Sequence, residues 1–84
     1  MTYRRRMGAR VVLYTRHGCQ LCNDARPLLA SALAEAGVDW DEIDVDEDPV
    51  VANAYGELVP AVTVDGILTG FWRIDPERVL GALG

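Results

Sequence analysis

The chain has only two cysteines, Cys19 and Cys22, and they lie between two segments of different pattern. An apolar run at residues 11–14 precedes them, and apolar residues at helical spacing follow over residues 25–36. A strand, two thiols and a helix in this order place both sulfurs on one helical turn, within bonding distance. The positive end of the helix dipole favours the thiolate at the first sulfur, and a thiolate is the nucleophile of disulfide exchange. The pattern therefore predicts a redox-active dithiol in which Cys19 attacks and Cys22 resolves.

The size of the chain supports this redox interpretation. It has 84 residues, half of them apolar, which predicts one globular domain with a single core. We expect residues 1–9 to form a loose arm and residues 10–84 to form the domain. A Cys19–Cys22 bridge would close a very short loop, and the stabilisation from loop closure grows with loop length. Such a bridge would therefore stabilise the fold little, which favours a redox role over a structural one.

Charge and apolar content exclude several classes of partner. The net charge of −5 disfavours nucleic acid. The arginines at positions 4–6 are not followed by the apolar stretch of about 7–15 residues that an export signal needs. No segment reaches the roughly 18–20 apolar residues of a membrane span. We therefore expect a monomeric cytoplasmic protein without a nucleic-acid or membrane partner, and in that compartment a Cys-x-x-Cys pair is catalytic or metal-binding.

Strand and helix patterns alternate along the chain in the order β-α-β-α-β-β-α. Strands are predicted over residues 10–15, 40–45, 61–64 and 67–69, and helices over residues 25–36 and 50–55 and from residue 76 onward. This order predicts an α/β fold with a four-stranded mixed sheet and three helices that cover both of its faces.

Local signals mark the ends of these elements. Gly37 is a predicted helix C-cap, and Pro27 is expected to kink the first helix or to mark its first turns. Asp-Pro pairs at 48–49 and 75–76 predict helix starts with Asp as N-cap and Pro at the first helical position. The Asp-Gly pair at 65–66 predicts a tight hairpin turn.

Three segments resemble the glutaredoxin-like branch of the thioredoxin-fold superfamily, and in particular the small glutaredoxin-like proteins. They are LYTRHGCQLC at 13–22, YGELVPAV at 55–62 and GFWRID at 70–75, and the likeness extends over residues 10–83. The resemblance implies a thioredoxin fold and a thiol–disulfide oxidoreductase that reduces protein or mixed disulfides. It also implies no tightly bound cofactor, with a low-molecular-weight thiol such as glutathione or a reductase as the source of electrons.

The resemblance assigns substrate-binding positions as well. It implies a cis peptide bond between Val59 and Pro60 that faces the cysteines and exposes the Val59 backbone to an extended substrate. Arg16 occupies the position of a basic residue near the thiolate and the glutathione carboxylate. Gly70 corresponds to the first of a Gly-Gly pair in the glutathione site, and Asp75 to a contact with the thiol substrate.

Two departures from the family pattern leave the substrate open. Gln20 and Leu21 replace the usual Pro-Tyr between the cysteines, and Phe71 replaces the second glycine of the Gly-Gly pair. The bulky Phe71-Trp72 pair favours another low-molecular-weight thiol or a protein surface over glutathione.

Other functions remain compatible with the same motif. One is an electron-donor redoxin for ribonucleotide reductase, served by thioredoxin reductase. Another is a non-catalytic binding module, or a metal or iron-sulfur carrier. Structural zinc takes four ligands, whereas the chain offers Cys19, Cys22 and the single histidine His17. A complete metal site would need a second chain or an external thiol, so no metal site is assigned to the single chain.

Overall fold

The structure, a computed structural model, describes residues 9–84. Apart from its last residue, the predicted N-terminal arm lies outside the described residues. The elements are β1 (Val11–Thr15), α1 (Gln20–Ala36), β2 (Trp40–Asp44), a 3-10 helix (Val45–Glu47), α2 (Pro49–Tyr55), β3 (Ala61–Val64), β4 (Ile67–Phe71) and α3 (Pro76–Leu83). The predicted order of strands and helices is confirmed.

The four strands form one mixed sheet in the order β2-β1-β3-β4. The central strand β1 pairs in parallel with β2 and antiparallel with β3, and β3 pairs antiparallel with β4. The β3–β4 hairpin turns at Asp65 and Gly66, with φ of 54° and 82°. A two-residue hairpin turn with positive φ at both central residues matches the twist of the flanking strands. Asp and Gly adopt positive φ more readily than most residues, which explains their presence here.

Helices cover both faces of the sheet, as expected. Side chains alternate across β1, so Val11 and Leu13 face α1 and α3 while Tyr14 faces the other side. There, the Tyr14 ring stacks on that of Tyr55 in α2, with 4.2 Å between centroids. The main core lies under α1 and α3 and consists of Val11, Leu13, Ala25, Leu29, Leu33, Val62, Val64, Ile74 and Val79.

The first helix differs from its predicted extent. It begins at Gln20 rather than at residue 25 and contains Pro27 as its eighth residue. The prediction was wrong because it relied on apolar periodicity, whereas the first helical turn is capped by the side chain of Cys19. The predicted C-cap at Gly37 is confirmed, with φ of 71°.

Three strand boundaries also differ. The first strand begins at Val11 instead of residue 10, which is within the usual fraying of element ends. Val45, predicted in the second strand, begins the 3-10 helix, because the Asp44 side chain accepts a hydrogen bond from the Asp46 backbone and turns the chain. The fourth strand extends to Phe71 rather than residue 69, after a bulge in its pairing with β3.

Within residues 9–84, none of the helices has the length and apolar character that crossing a membrane requires.

Candidate active site

Two loops meet at one end of the sheet, beyond the last residues of β1 and before the first residues of β3. Tyr14, near the end of β1, pairs with Ala61, the first residue of β3. Just beyond this pair, the Arg16 side chain donates a hydrogen bond of 3.0 Å to the carbonyl oxygen of Gly56. The loop that carries the cysteines and the segment that leads into β3 are therefore neighbours.

Cys19 is the N-cap of α1, and its sulfur takes part in the cap. The backbone N–H of Cys22 donates to the Cys19 Sγ atom across 3.2 Å, and the N–H of Asn23 donates to the Cys19 carbonyl oxygen at 3.0 Å. Both cysteines are free thiols. Because an N-cap acceptor faces the unpaired N–H groups and the positive end of the helix, this position stabilises negative charge on the sulfur.

The two thiols differ in access, and Cys22 is less acidic than a free cysteine. Cys19 is partly exposed, whereas Cys22 has 0% exposure. Burial raises the pKa of Cys22 to about 11, helped by a hydrogen bond with the Cys19 side chain and opposed by the Arg16 backbone and the charge of Arg26. Cys22 is therefore a protonated thiol at neutral pH. Because it is also buried, Cys19 is the sulfur that a substrate can reach.

The Arg16 side chain is held by contacts with the 3-10 helix and with the end of α2. Its guanidinium binds Asp46 through Nε at 3.1 Å and Nη2 at 3.2 Å, besides the bond to Gly56. The hydrogen bond to Asp46 and its charge raise the pKa of Arg16. This side chain ties the cysteine loop to the 3-10 helix and to the end of α2, and its contact with a substrate carboxylate stays a prediction.

Val59 and Pro60 form the segment that leads into β3, and the peptide bond between them is cis. Pro60 is fully buried, and Val59 is partly exposed. The backbone N–H and C=O of Val59 have no hydrogen-bond partner among residues 9–84. These groups are available to an extended segment of another molecule, although their use by a substrate remains untested.

Gly70 and Asp75 line a groove between β4 and α3 with a volume of about 290 Å³. Gly70 pairs with Val62 in the sheet. The Asp75 carboxylate accepts a hydrogen bond of 3.0 Å from the backbone of Glu77, so the predicted N-cap is confirmed. A substrate contact at either residue stays a prediction.

The aromatic pair Phe71-Trp72 follows directly, and both rings are about half exposed. Trp72 has φ of +66°, a conformation that costs a non-glycine residue free energy. Its backbone N–H donates to the Pro60 carbonyl at 2.8 Å and to the Leu58 carbonyl at 3.4 Å, and its indole N–H donates to the Glu57 carbonyl at 3.1 Å. The indole is thereby fixed against the segment that contains Val59 and Pro60, a placement the sequence did not indicate.

Sequence reasoning also missed a charged cluster beside the cysteines. Arg26 forms an ion pair with Glu42 of β2 at 2.9 Å, and the Thr15 hydroxyl donates to the same carboxylate at 2.9 Å. The spacing of four residues between Cys22 and Arg26 was the available signal. The partner on β2 could not be identified without the tertiary fold.

The exposed His17 lies in the cysteine loop. Across residues 9–84, no group of three or more His, Cys, Asp or Glu side chains is arranged to hold a metal ion.

Comparisons with known proteins agree with this architecture. The family model described as Glutaredoxin-like domain (DUF836) matches residues 10–84. An uncharacterised protein of Mycobacterium tuberculosis is 34% identical over 74 residues, which cover 82% of this chain and 76% of that protein.

Solved structures give the same result. A structural-genomics target protein from X. campestris has a TM-score of 0.68 and 30% identity, covering 87% of this chain and 93% of the other. The holo form of glutaredoxin C1 from Populus tremula x tremuloides, at 22% identity, shares the fold with a TM-score of 0.56 over 89% of this chain and 74% of its own. The glutaredoxin-like family match and the Cys19–Cys22 pair together support a thiol redox role. With the family model matching nearly the whole described chain, this protein belongs to the glutaredoxin-like domain family and has a thioredoxin fold.

Proposed function

We propose that this chain is a thiol–disulfide oxidoreductase that reduces protein or mixed disulfides. The observation that carries the proposal is the hydrogen bond of 3.2 Å from the Cys22 N–H to the Cys19 sulfur. It shows a partly exposed sulfur capping a helix, with a buried second sulfur one turn further on. An attacking thiolate needs access and stabilised charge, and a resolving thiol needs proximity and protection.

The reaction proceeds in two exchanges. The Cys19 thiolate attacks one sulfur of the substrate disulfide, forms a mixed disulfide and releases the other sulfur as a thiolate. Cys22 then loses its proton and attacks the Cys19 sulfur, so that a Cys19–Cys22 bond forms and the bond between Cys19 and the substrate breaks. The departing thiolate takes up a proton from solvent. The substrate gains two electrons, and the protein dithiol is oxidised by two.

Substrate binding is assigned to the surfaces around Cys19. The backbone groups of Val59, which have no hydrogen-bond partner among residues 9–84, would pair with an extended segment next to the substrate disulfide, and the buried Pro60 would hold Val59 in place. Arg16, Gly70 and Asp75 are the further positions that the family resemblance assigns to a thiol substrate. The exposed Phe71-Trp72 pair beside this segment favours a protein surface or a low-molecular-weight thiol other than glutathione as the substrate.

The proposal extends to the cellular setting. A monomer in the cytoplasm would reduce disulfide-containing proteins there, without a tightly bound cofactor. A low-molecular-weight thiol such as glutathione, or a flavin-dependent reductase, would return two electrons to the Cys19–Cys22 disulfide.

The test is reduction of a model protein disulfide with two separate electron sources. Glutathione with its reductase is compared with thioredoxin reductase, and Cys19→Ser serves as the inactive control. Turnover with glutathione supports the glutaredoxin-like activity, whereas turnover with thioredoxin reductase alone moves the chain to the electron-donor redoxin alternative. A protein that reduces the disulfide with neither source, or a Cys19→Ser variant as active as the wild type, contradicts the proposal.

A further inference from the structure

Arg26 lies one helical turn after the resolving cysteine. Residues four apart on a helix share one face, so Arg26 and Cys22 are neighbours on α1. The Cys22 side chain is fully buried, whereas the Arg26 side chain keeps 38% exposure. A positive charge therefore stands at the edge of the interior in which the resolving sulfur is enclosed.

Contacts on β2 and on α1 itself fix the guanidinium. Its Nε and Nη2 atoms each lie 2.9 Å from an oxygen of the Glu42 carboxylate on β2, and Nη1 lies 3.2 Å from the side-chain oxygen of Asn23 on α1. Thr15, only 4% exposed at the end of β1, holds the same carboxylate from the other side. An arginine held in this way cannot swing freely into solvent, so its distance from the sulfur is constrained.

The charge of Arg26 acts on Cys22 against the effect of burial. It lowers the pKa of Cys22. The pKa of Arg26 is in turn raised, first by the hydrogen bond to Glu42 and then by the charges of Glu42 and of the two cysteines. The other charged or titratable groups around Arg26 are Cys19, Arg16 and His17 in the loop, Glu42 and Asp44 on β2, and Glu47 in the 3-10 helix. A cleft of about 590 Å³ beside the cysteine loop is lined by Arg26 and by these groups other than Cys19.

We propose that Arg26 is a positioning residue for the resolving step, whose anchored guanidinium stabilises the Cys22 thiolate as it attacks Cys19. The inference rests on the proposed function. In the mixed disulfide, Cys22 gives its proton to solvent and its electron pair to the Cys19 sulfur. The bond from Cys19 to the substrate breaks, and the substrate leaves as a thiolate. Arg26 exchanges no electrons or protons and acts only through its charge, which Glu42 partly balances.

The chain offers a matched control for an arginine–carboxylate pair. Arg10 binds Asp65 with two contacts of 2.8 Å, at the opposite end of β1 from the cysteines. Arg10→Gln removes the same charge from a pair of the same type without approaching either sulfur.

The experiment is a rapid-mixing measurement with a chromogenic aromatic disulfide at equimolar concentration, over a range of pH. Attack by Cys19 releases the first coloured thiolate, and resolution by Cys22 releases the second. We expect Arg26→Gln to slow the second phase about tenfold near neutral pH and to move its pH profile upward, because the Cys22 thiolate loses a stabilising positive charge. Screening by solvent and by Glu42 limits the effect to about this size. Arg26→Lys should stay within about threefold of the wild type, and Arg10→Gln should match it.

Glu42→Gln separates an electrostatic role from a structural one. The Gln side chain keeps an oxygen that can accept a hydrogen bond from Arg26 but carries no negative charge. The positive charge of Arg26 is then less balanced at the sulfur, so the second phase should become faster. An unchanged second phase in Arg26→Gln, or a Glu42→Gln variant slowed like Arg26→Gln, overturns the proposal. If Arg26→Gln does not fold, Glu42→Gln still decides the matter, because the proposal requires this variant to have a faster second phase than the wild type. A wild-type protein that shows no second phase contradicts the proposed function itself, which is a distinguishable failure.

Discussion

Gly56 offers a sharp test of how the cysteine loop is supported. It ends α2 with φ of −57° and ψ of −32°, which any residue adopts, so its backbone conformation does not require glycine. The requirement comes from close approach. A Cβ atom at this position would lie far inside van der Waals contact with the Ala52 carbonyl oxygen and 3.2 Å from the Arg16 Nη2 atom.

Gly56→Ala should therefore destabilise the protein although alanine is the better helix former. Forcing one extra methyl group into a packed site costs about 1–3 kcal/mol. For a domain of this size, the urea dependence of the free energy of unfolding is about 1–2 kcal/mol per molar. The midpoint of urea unfolding should fall by about 0.5–3 M.

Gly81 provides the matched control. It lies in α3, and an added Cβ there has no neighbouring atom within 4 Å. Gly81→Ala should raise the free energy of unfolding by about 0.5–1 kcal/mol, because glycine is unfavourable within a helix. If Gly56→Ala unfolds at the same urea concentration as the wild type or a higher one, the close packing of Gly56 against Ala52 and Arg16 is refuted.

Three further predictions concern the core, the resolving thiol and the hairpin. Leu29→Ala, at a fully buried position, should lower the free energy of unfolding by about 2–5 kcal/mol, whereas Leu28→Ala, at a position 57% exposed, should stay within about 0.5 kcal/mol in the same denaturation assay. The pKa of the Cys22 thiol is about 11 in the folded protein and 9.0 for an exposed cysteine, which stands for the unfolded chain. The unfolded chain therefore loses this proton first as the pH rises. The reduced wild type should lose roughly 2 kcal/mol of stability between these two pH values relative to Cys22→Ala, and equal pH dependence of the two would contradict the assignment. Gly66→Ala should cost about 1 kcal/mol in thermal unfolding, since its φ of 82° disfavours a side chain, and an unchanged melting temperature would count against this turn geometry.

Much of the fold follows from local signals in the sequence. The Asp-Pro pairs before α2 and α3, Gly37 after α1 and the Asp-Gly turn each depend on the conformational preference of one or two residues, and the structure confirms all of them. Apolar patterns identified the four strands and α1 within residues 9–84, and the Asp-Pro pairs identified α2 and α3. The start of α1 at Gln20 was not predicted, because the first turn of this helix is stabilised by the Cys19 thiol cap and not by an apolar face.

The site was predicted less completely than the fold. The spacing of Cys19 and Cys22 at a strand-to-helix junction was sufficient to predict a dithiol, since one helical turn sets their separation. The left-handed conformation of Trp72 had no signal in the sequence, because the hydrogen bonds that hold it come from Glu57 and Pro60 in another segment.

The sequence alone determined the order of the elements, their caps and the presence of two sulfurs at the start of a helix, because these depend on residues within a few positions of one another. Only the tertiary structure decided what surrounds those sulfurs. Arg26 meets Glu42, and Arg16 meets Asp46, because parallel pairing brings β2 and the turn after it alongside β1. Such contacts depend on which strands become neighbours, and that choice is made by burial of the whole core rather than by any local preference.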